Sequence, residues 1–114
     1  VNSILLESSD YHANDNNFSY ICFDPVARYE FDGKQVLLTY PDKQTEQIVI
    51  NTRYEVLHEL ERFRKCFTAE ADRQPFITNG LFGHIAYDAV QYFEDIELSA
   101  RTSSTGIPLI VYQA

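Results

Sequence analysis

The stretch "VARYEFDGKQVLLTY", residues 26–40, restricts the fold more than any other. Two runs alternate apolar and polar residues on either side of Asp32-Gly33. That dipeptide is a strong short-range signal for a two-residue hairpin turn. Alternation puts Ala27, Tyr29 and Phe31 on one face, with Arg28 and Glu30 on the other. Val36, Leu38 and Tyr40 share a face on the return strand. A second turn, "YPDKQ" (40–44), leads into "EQIVI" (46–50), so the local order is a three-stranded antiparallel meander.

The period then changes. Val56, Leu60, Phe63 and Phe67 recur at helical spacing, with Leu57 beside them. Thr52 followed by Glu55 fits a capping box, and Glu61 with Lys65 fits a favourable i, i+4 pair. The spacing predicts a helix over about 53–70, ended by Arg73, Gln74 and Pro75.

Three further segments read as strands. "ILL" (4–6) is apolar and stops on Glu7, Ser8 and Ser9. "FSYICF" (18–23) is aromatic and β-branched, as in a buried strand, and Asp24-Pro25 closes it. Between them "YHANDNN" (11–17) is turn-forming. In "GLFGHIAYDAVQYFEDI" (80–96) alternation gives way after Asp88, an N-cap candidate, to the helical spacing of Val90, Phe93 and Ile96. "ARTSSTG" (100–106) reads as a loop and "PLIVYQA" (108–114) as a core strand. The expected fold class is α+β: an antiparallel meander with one main helix and a strand-to-helix corner. At 114 residues the chain has room for one domain and one core. Its start at Val1 without Met, and its apolar last run, suggest a piece of a larger protein.

Charge narrows the partners. Seventeen acidic residues against 9 basic give a net charge of -8, whereas phosphate contacts need clustered Lys and Arg. Nucleic acid and anionic membrane surfaces are therefore poor partners, and no apolar run is long enough to cross a bilayer. Cys22 and Cys66 lie among apolar neighbours and read as buried, reduced thiols, which fits a cytoplasmic protein.

Few residues carry chemistry on their own. Gly80 and Gly83 lack the rest of a dinucleotide fingerprint or P-loop and fit a close backbone approach. His12, His58 and His84 have no metal-ligand spacing, and neither cysteine sits in C-x-x-C. No serine lies in a G-x-S-x-G elbow. Glu7 and Ser8 stand apart. A carboxylate can hold an ammonium and a hydroxyl can donate to a carboxylate, so the pair suits a zwitterion such as an amino acid. A strand that merely ends on polar residues is the plainer reading.

"LLES" (Leu5-Leu6-Glu7-Ser8), "FSYICFDP" (18–25) and "GLFGHIAYDAVQYFE" (80–94), in that order and at similar spacing, resemble the amino-terminal region of anthranilate synthase component I. The resemblance covers nearly the whole chain and extends to a relative, aminodeoxychorismate synthase component I. It implies part of an enzyme that converts chorismate and glutamine-derived ammonia to anthranilate and pyruvate. The ammonia would come from a glutamine amidotransferase partner, component II. Chorismate and Mg2+ would bind in a carboxy-terminal domain, so no cofactor or catalytic residue is expected here. The resemblance implies that this region carries much of a feedback site for L-tryptophan, with Glu7 and Ser8 in it and Leu5 and Leu6 as apolar support. The chain departs from many relatives at Asn17, where they have Arg, and at His84 and Gln91, where they have Tyr and Arg. A stand-alone amino-acid-binding domain is the rival from another class.

Overall fold

The computed structural model describes residues 3–7, 18–68, 79–96 and 108–114. The chain is α+β, with mostly antiparallel sheets and one main helix. Strands β1 (Ile4–Leu6) and β2 (Tyr20–Cys22) form a two-stranded sheet. Strands β3 (Arg28–Phe31), β4 (Gln35–Thr39), β5 (Thr45–Val49), β6 (Phe82–Ile85) and β7 (Ile110–Gln113) form a five-stranded sheet in the order β5-β4-β3-β7-β6. Helix α1 covers Arg53–Lys65, and a 3₁₀ helix covers Tyr87–Tyr92.

The β3–β4 hairpin turns one residue later than expected. Asp32 N–H donates to Gln35 O at 3.3 Å, so Gly33 and Lys34 are the central residues. Gly33 takes φ +103°, which a side chain would resist. The Asp32 carboxylate accepts from the N–H groups of Lys34 and Gln35, at 2.8 and 2.9 Å. Moving the turn by one residue shifts the pairing by two positions. Side-chain parity survives: Tyr29 faces Leu38 and Phe31 faces Val36, all four fully buried.

That buried face is the floor of the core. Ile110 extends it on β7 beside Phe31. Helix α1 lies over β3 and β4 and inserts Val56 and Phe63. The Phe63 ring meets Phe67 edge-on at 5.0 Å and lies 6.0 Å from Tyr29. Tyr29 reaches up to donate its hydroxyl to Val56 O at 2.9 Å, which ties sheet to helix. The 3₁₀ helix adds Ala89, and Tyr92 packs edge-on against Phe31 at 4.8 Å.

The helix departs from its sequence reading at both ends. Regular structure stops at Lys65, with Cys66 as cap and Phe67-Thr68 already irregular; Arg73, Gln74 and Pro75 lie outside the described residues. Thr52 is the N-cap but makes no side-chain capping bond. Instead Glu55 accepts from the Asn51 N–H at 2.9 Å, so half of the box forms, one residue early. Glu61 forms the expected i, i+4 ion pair with Lys65, at 3.9 Å, and a closer one with Arg64 at 2.6 Å. The bidentate geometry of arginine makes that contact the tighter of the two.

The corner forms, but as a tighter helix. Its cap is Ala86, not Asp88, and its six residues are 3₁₀. Ala86 N–H donates to Leu109 O at 2.7 Å, pinning the corner to the approach of β7. Gly83 faces Tyr112 where β6 meets β7. A Cβ there would sit 1.7 Å from Val111 O, so the close backbone approach is real.

Candidate functional site

Strand β1 runs antiparallel to β2, with Ile4 opposite Cys22, Leu5 opposite Ile21 and Leu6 opposite Tyr20. The first two segments that carry the resemblance are therefore direct partners. The third joins through Tyr20, whose ring lies 6.0 Å from that of Phe82 on β6. This contact joins the two-stranded sheet to β6 of the large sheet.

Neither short strand is buried as the sequence suggests. Leu5 is 57% exposed, and Ile21 opposite it is 71% exposed. Phe23, just past the end of β2, is 75% exposed. Ile4, Leu6, Tyr20 and Cys22 form the inner, half-buried side. A two-stranded sheet has only one face to lay on a core, so its alternate residues face outward.

Leu6 therefore points inward beside Tyr20, and Glu7, the next residue, is exposed just past the strand end. Ser8 lies outside the described residues, as does His12, so the structure neither places Ser8 beside Glu7 nor separates them. Leu6 is half-buried, whereas Glu7 is open to solvent. His58 and His84 are both exposed on separate elements. Cys66 is exposed and Cys22 half-buried, and both are free thiols, which corrects the expectation that both are buried. Cys66 sits at the helix end, past the apolar stripe, where its thiol donates to Arg62 O at 3.3 Å. Among the described residues no three His, Cys, Asp or Glu side chains group to hold a metal ion. Likewise no helix there is long and apolar enough to cross a membrane.

A cavity of about 620 Å³ opens where β2, the end of α1 and the β6–β7 edge meet. Cys22, Phe23, Phe67, Leu81, Phe82 and Gln113 are among its walls. It adjoins the Cys22 end of β2. Glu7 extends from the other end of the pair, beyond the Leu6–Tyr20 position. Leu6 and Glu7 do not line it. Among the described residues no Asp, Glu or His side chain lines it. Arg64 is the charged side chain among its described walls, and the Glu61 carboxylate grips that guanidinium at 2.6 and 2.9 Å. This pairing holds the Glu61 carboxyl below, and the Arg64 guanidinium above, their ordinary values.

Gln113 was not a sequence candidate. Among the described residues it is the buried polar side chain, 4% exposed, and its Oε1 has no hydrogen-bond partner there. The sequence signal was a glutamine inside the apolar run "PLIVYQA", which alternation on a single-faced sheet would place outside. Comparison with protein-family models, curated proteins and solved structures found no match.

Proposed function

We propose that this chain is the amino-terminal region of anthranilate synthase component I and contributes a feedback site for L-tryptophan. The observation that supports this reading is convergence. The three segments that resemble the family, distant in sequence, pack together: β1 on β2 by register, and β2 on β6 through Tyr20 and Phe82.

In this reading Glu7 holds the tryptophan ammonium, while Ser8 and backbone groups hold the carboxylate. Leu6 supports the site by seating β1 on the core rather than by touching the ligand. A solvent-open carboxylate at a strand end can meet an ammonium without first being stripped from a core partner. The indole enters an apolar pocket completed by a carboxy-terminal chorismate-binding domain, where Mg2+ also belongs. Ammonia comes from a glutamine amidotransferase, component II, and the full-length lyase works in the cytoplasm. Tryptophan favours an inactive arrangement of domains through a coupling on the order of 1–3 kcal/mol.

The test uses the full-length protein that contains this sequence. Chorismate and ammonium are supplied, anthranilate is followed by fluorescence, and tryptophan is titrated. Glu7→Gln and Ser8→Ala should each raise the inhibition constant by about tenfold or more, the worth of a hydrogen bond to a charged group. Unchanged inhibition in both variants would remove the site assignment. Aminodeoxychorismate as product would move the protein to the folate branch, and no turnover of chorismate would end the proposal.

A further inference from the structure

We infer that Asn79-Gly80 is a self-modifying site: the Asn79 side chain deamidates through the Gly80 backbone nitrogen and leaves a carboxylate in the cavity wall. The chemistry needs a carboxamide, the backbone nitrogen next along the chain, and water. The sequence holds six asparagines, and Asn79 is the one followed by glycine. Glycine has no Cβ, so no side chain screens its nitrogen and its dihedrals turn freely. Asn51 is followed by Thr52, whose β-branched side chain crowds the same approach.

The fold leaves the site open. Both residues are exposed, at a bend ahead of β6 (Phe82–Ile85). Gly80 takes φ +153°, and a Cβ built there would meet nothing nearer than the Phe82 ring at 3.9 Å. Among the described residues no acceptor takes the Gly80 N–H, and no partner holds the Asn79 carboxamide. The nitrogen can therefore lose its proton without first breaking a hydrogen bond. Asn51 is also exposed, but its own N–H is donated to Glu55 at 2.9 Å at the entry to α1. It serves as the internal comparison.

Water is the only co-reactant. Hydroxide removes the Gly80 amide proton, and the nitrogen bonds to the Asn79 Cγ. The Cγ–Nδ2 bond breaks, and that nitrogen leaves as ammonia with a proton taken from water, which restores the hydroxide. A five-membered succinimide remains. Water then opens it at either carbonyl. Opening at Cγ gives aspartate. Opening at the Asn79 main-chain carbonyl gives isoaspartate, with the chain rerouted through the former side chain. In sum one water enters, one ammonia leaves, and the site gains a carboxylate that is ionised at neutral pH. Asn79 and Arg64 both line the cavity, so the new charge appears in a wall that already carries a guanidinium. Isoaspartate also lengthens the main chain by one methylene, three residues ahead of Phe82, where β6 begins.

The chain is held warm at mildly alkaline pH, and peptide mapping by mass spectrometry reads the converted fraction of each asparagine with time. Asn79 should convert at least about tenfold faster than Asn51. Its products should include isoaspartate, which electron-transfer fragmentation separates from aspartate. The same measurement in guanidinium chloride gives the rate in the unfolded chain. The folded rate should lie within about tenfold of it, because the fold does not shield the site. In the same denaturant, where the fold plays no part, Gly80→Ala should slow Asn79 by about tenfold, which identifies the Gly80 nitrogen as the attacking group. The proposal is overturned if folding slows Asn79 by more than that factor, or if Asn51 converts within tenfold of Asn79. It also fails if aspartate is the sole product, or if Gly80→Ala converts as fast as wild type.

Discussion

Gly83→Ala should detach β6 from the sheet while leaving the meander and α1 in place. A Cβ at this position would stand 1.7 Å from Val111 O, 2.7 Å from Val111 C and 2.9 Å from the Tyr112 Cα. All three are backbone atoms of the neighbouring strand, so no rotamer change relieves the clash. Real Cβ atoms keep at least 3.0 Å from such atoms. The strands must therefore part by about 1.3 Å, the difference between 3.0 and 1.7 Å. A backbone hydrogen bond of ordinary length, about 2.9 Å, does not survive that stretch. The β6–β7 ladder has four residue pairs, from Phe82–Gln113 to Ile85–Ile110. Losing two to four of its bonds at about 1 kcal/mol each, together with part of the Phe82 burial, amounts to roughly 3–5 kcal/mol. A domain of this size has roughly 5–15 kcal/mol in all, so a stable variant folds with a looser edge. Urea unfolding measures the loss, and hydrogen exchange locates it. Amides of β6 should lose protection first, while those of β3 and β4 keep theirs. A variant within about 0.5 kcal/mol of wild type, with β6 still protected, would refute the steric argument.

Phe63→Ala should cost about 3–5 kcal/mol in urea unfolding, because the ring is fully buried and packs on Tyr29, Tyr40 and Phe67 at once; a loss under 1 kcal/mol would mean that α1 does not seat the core as described. Alkaline pH should unfold the chain partly through Tyr29. Burial, and then the nearby Glu59 carboxylate, push its phenol above the ordinary 10.0, so the folded state keeps the proton longer than the unfolded chain. The stabilisation is complete below pH 10 and is lost as pH rises beyond it, by up to about 1.4 kcal/mol per pH unit. Tyr29→Phe should be weaker at neutral pH by about 1 kcal/mol, from the lost bond to Val56 O, and should show a shallower alkaline decline. Identical slopes between pH 9 and 11 in the two proteins would contradict this.

Several features were legible because they depend on neighbours two to four residues away. The alternation of Tyr29 and Phe31, and of Val36 and Leu38, assigned the core face even though the turn itself sits one residue further on. Both turn positions pair odd residues of one strand with even residues of the other, so the faces do not change. The stripe Val56, Leu60, Phe63 and Phe67 marked the helix for the same local reason. Glycine at 83 was readable as a close approach, although not what it approached.

Other features had no local trace. The insertion of β7 between β3 and β6 joins segments about 80 residues apart in one direction and about 30 in the other. That insertion makes "PLIVYQA" a central strand. It brings Gln113 into the wall of a cavity that Cys22 and Phe23 also line. The apolar runs at 4–6 and 18–23 read as strands, yet Leu5 and Ile21 face outward because their sheet has one partner face. The resemblance pointed to Glu7 as a ligand group; only the register showed it to be separated from the cavity by the length of the strand pair.

The sequence by itself determined which residues face together within each element, since backbone geometry repeats every 2 or 3.6 residues whatever surrounds it. Only the tertiary structure decided which elements share a sheet, which apolar faces stay open, and that a glutamine from the last strand lies buried beside a cavity. Those outcomes depend on contacts between distant segments, which no local period encodes.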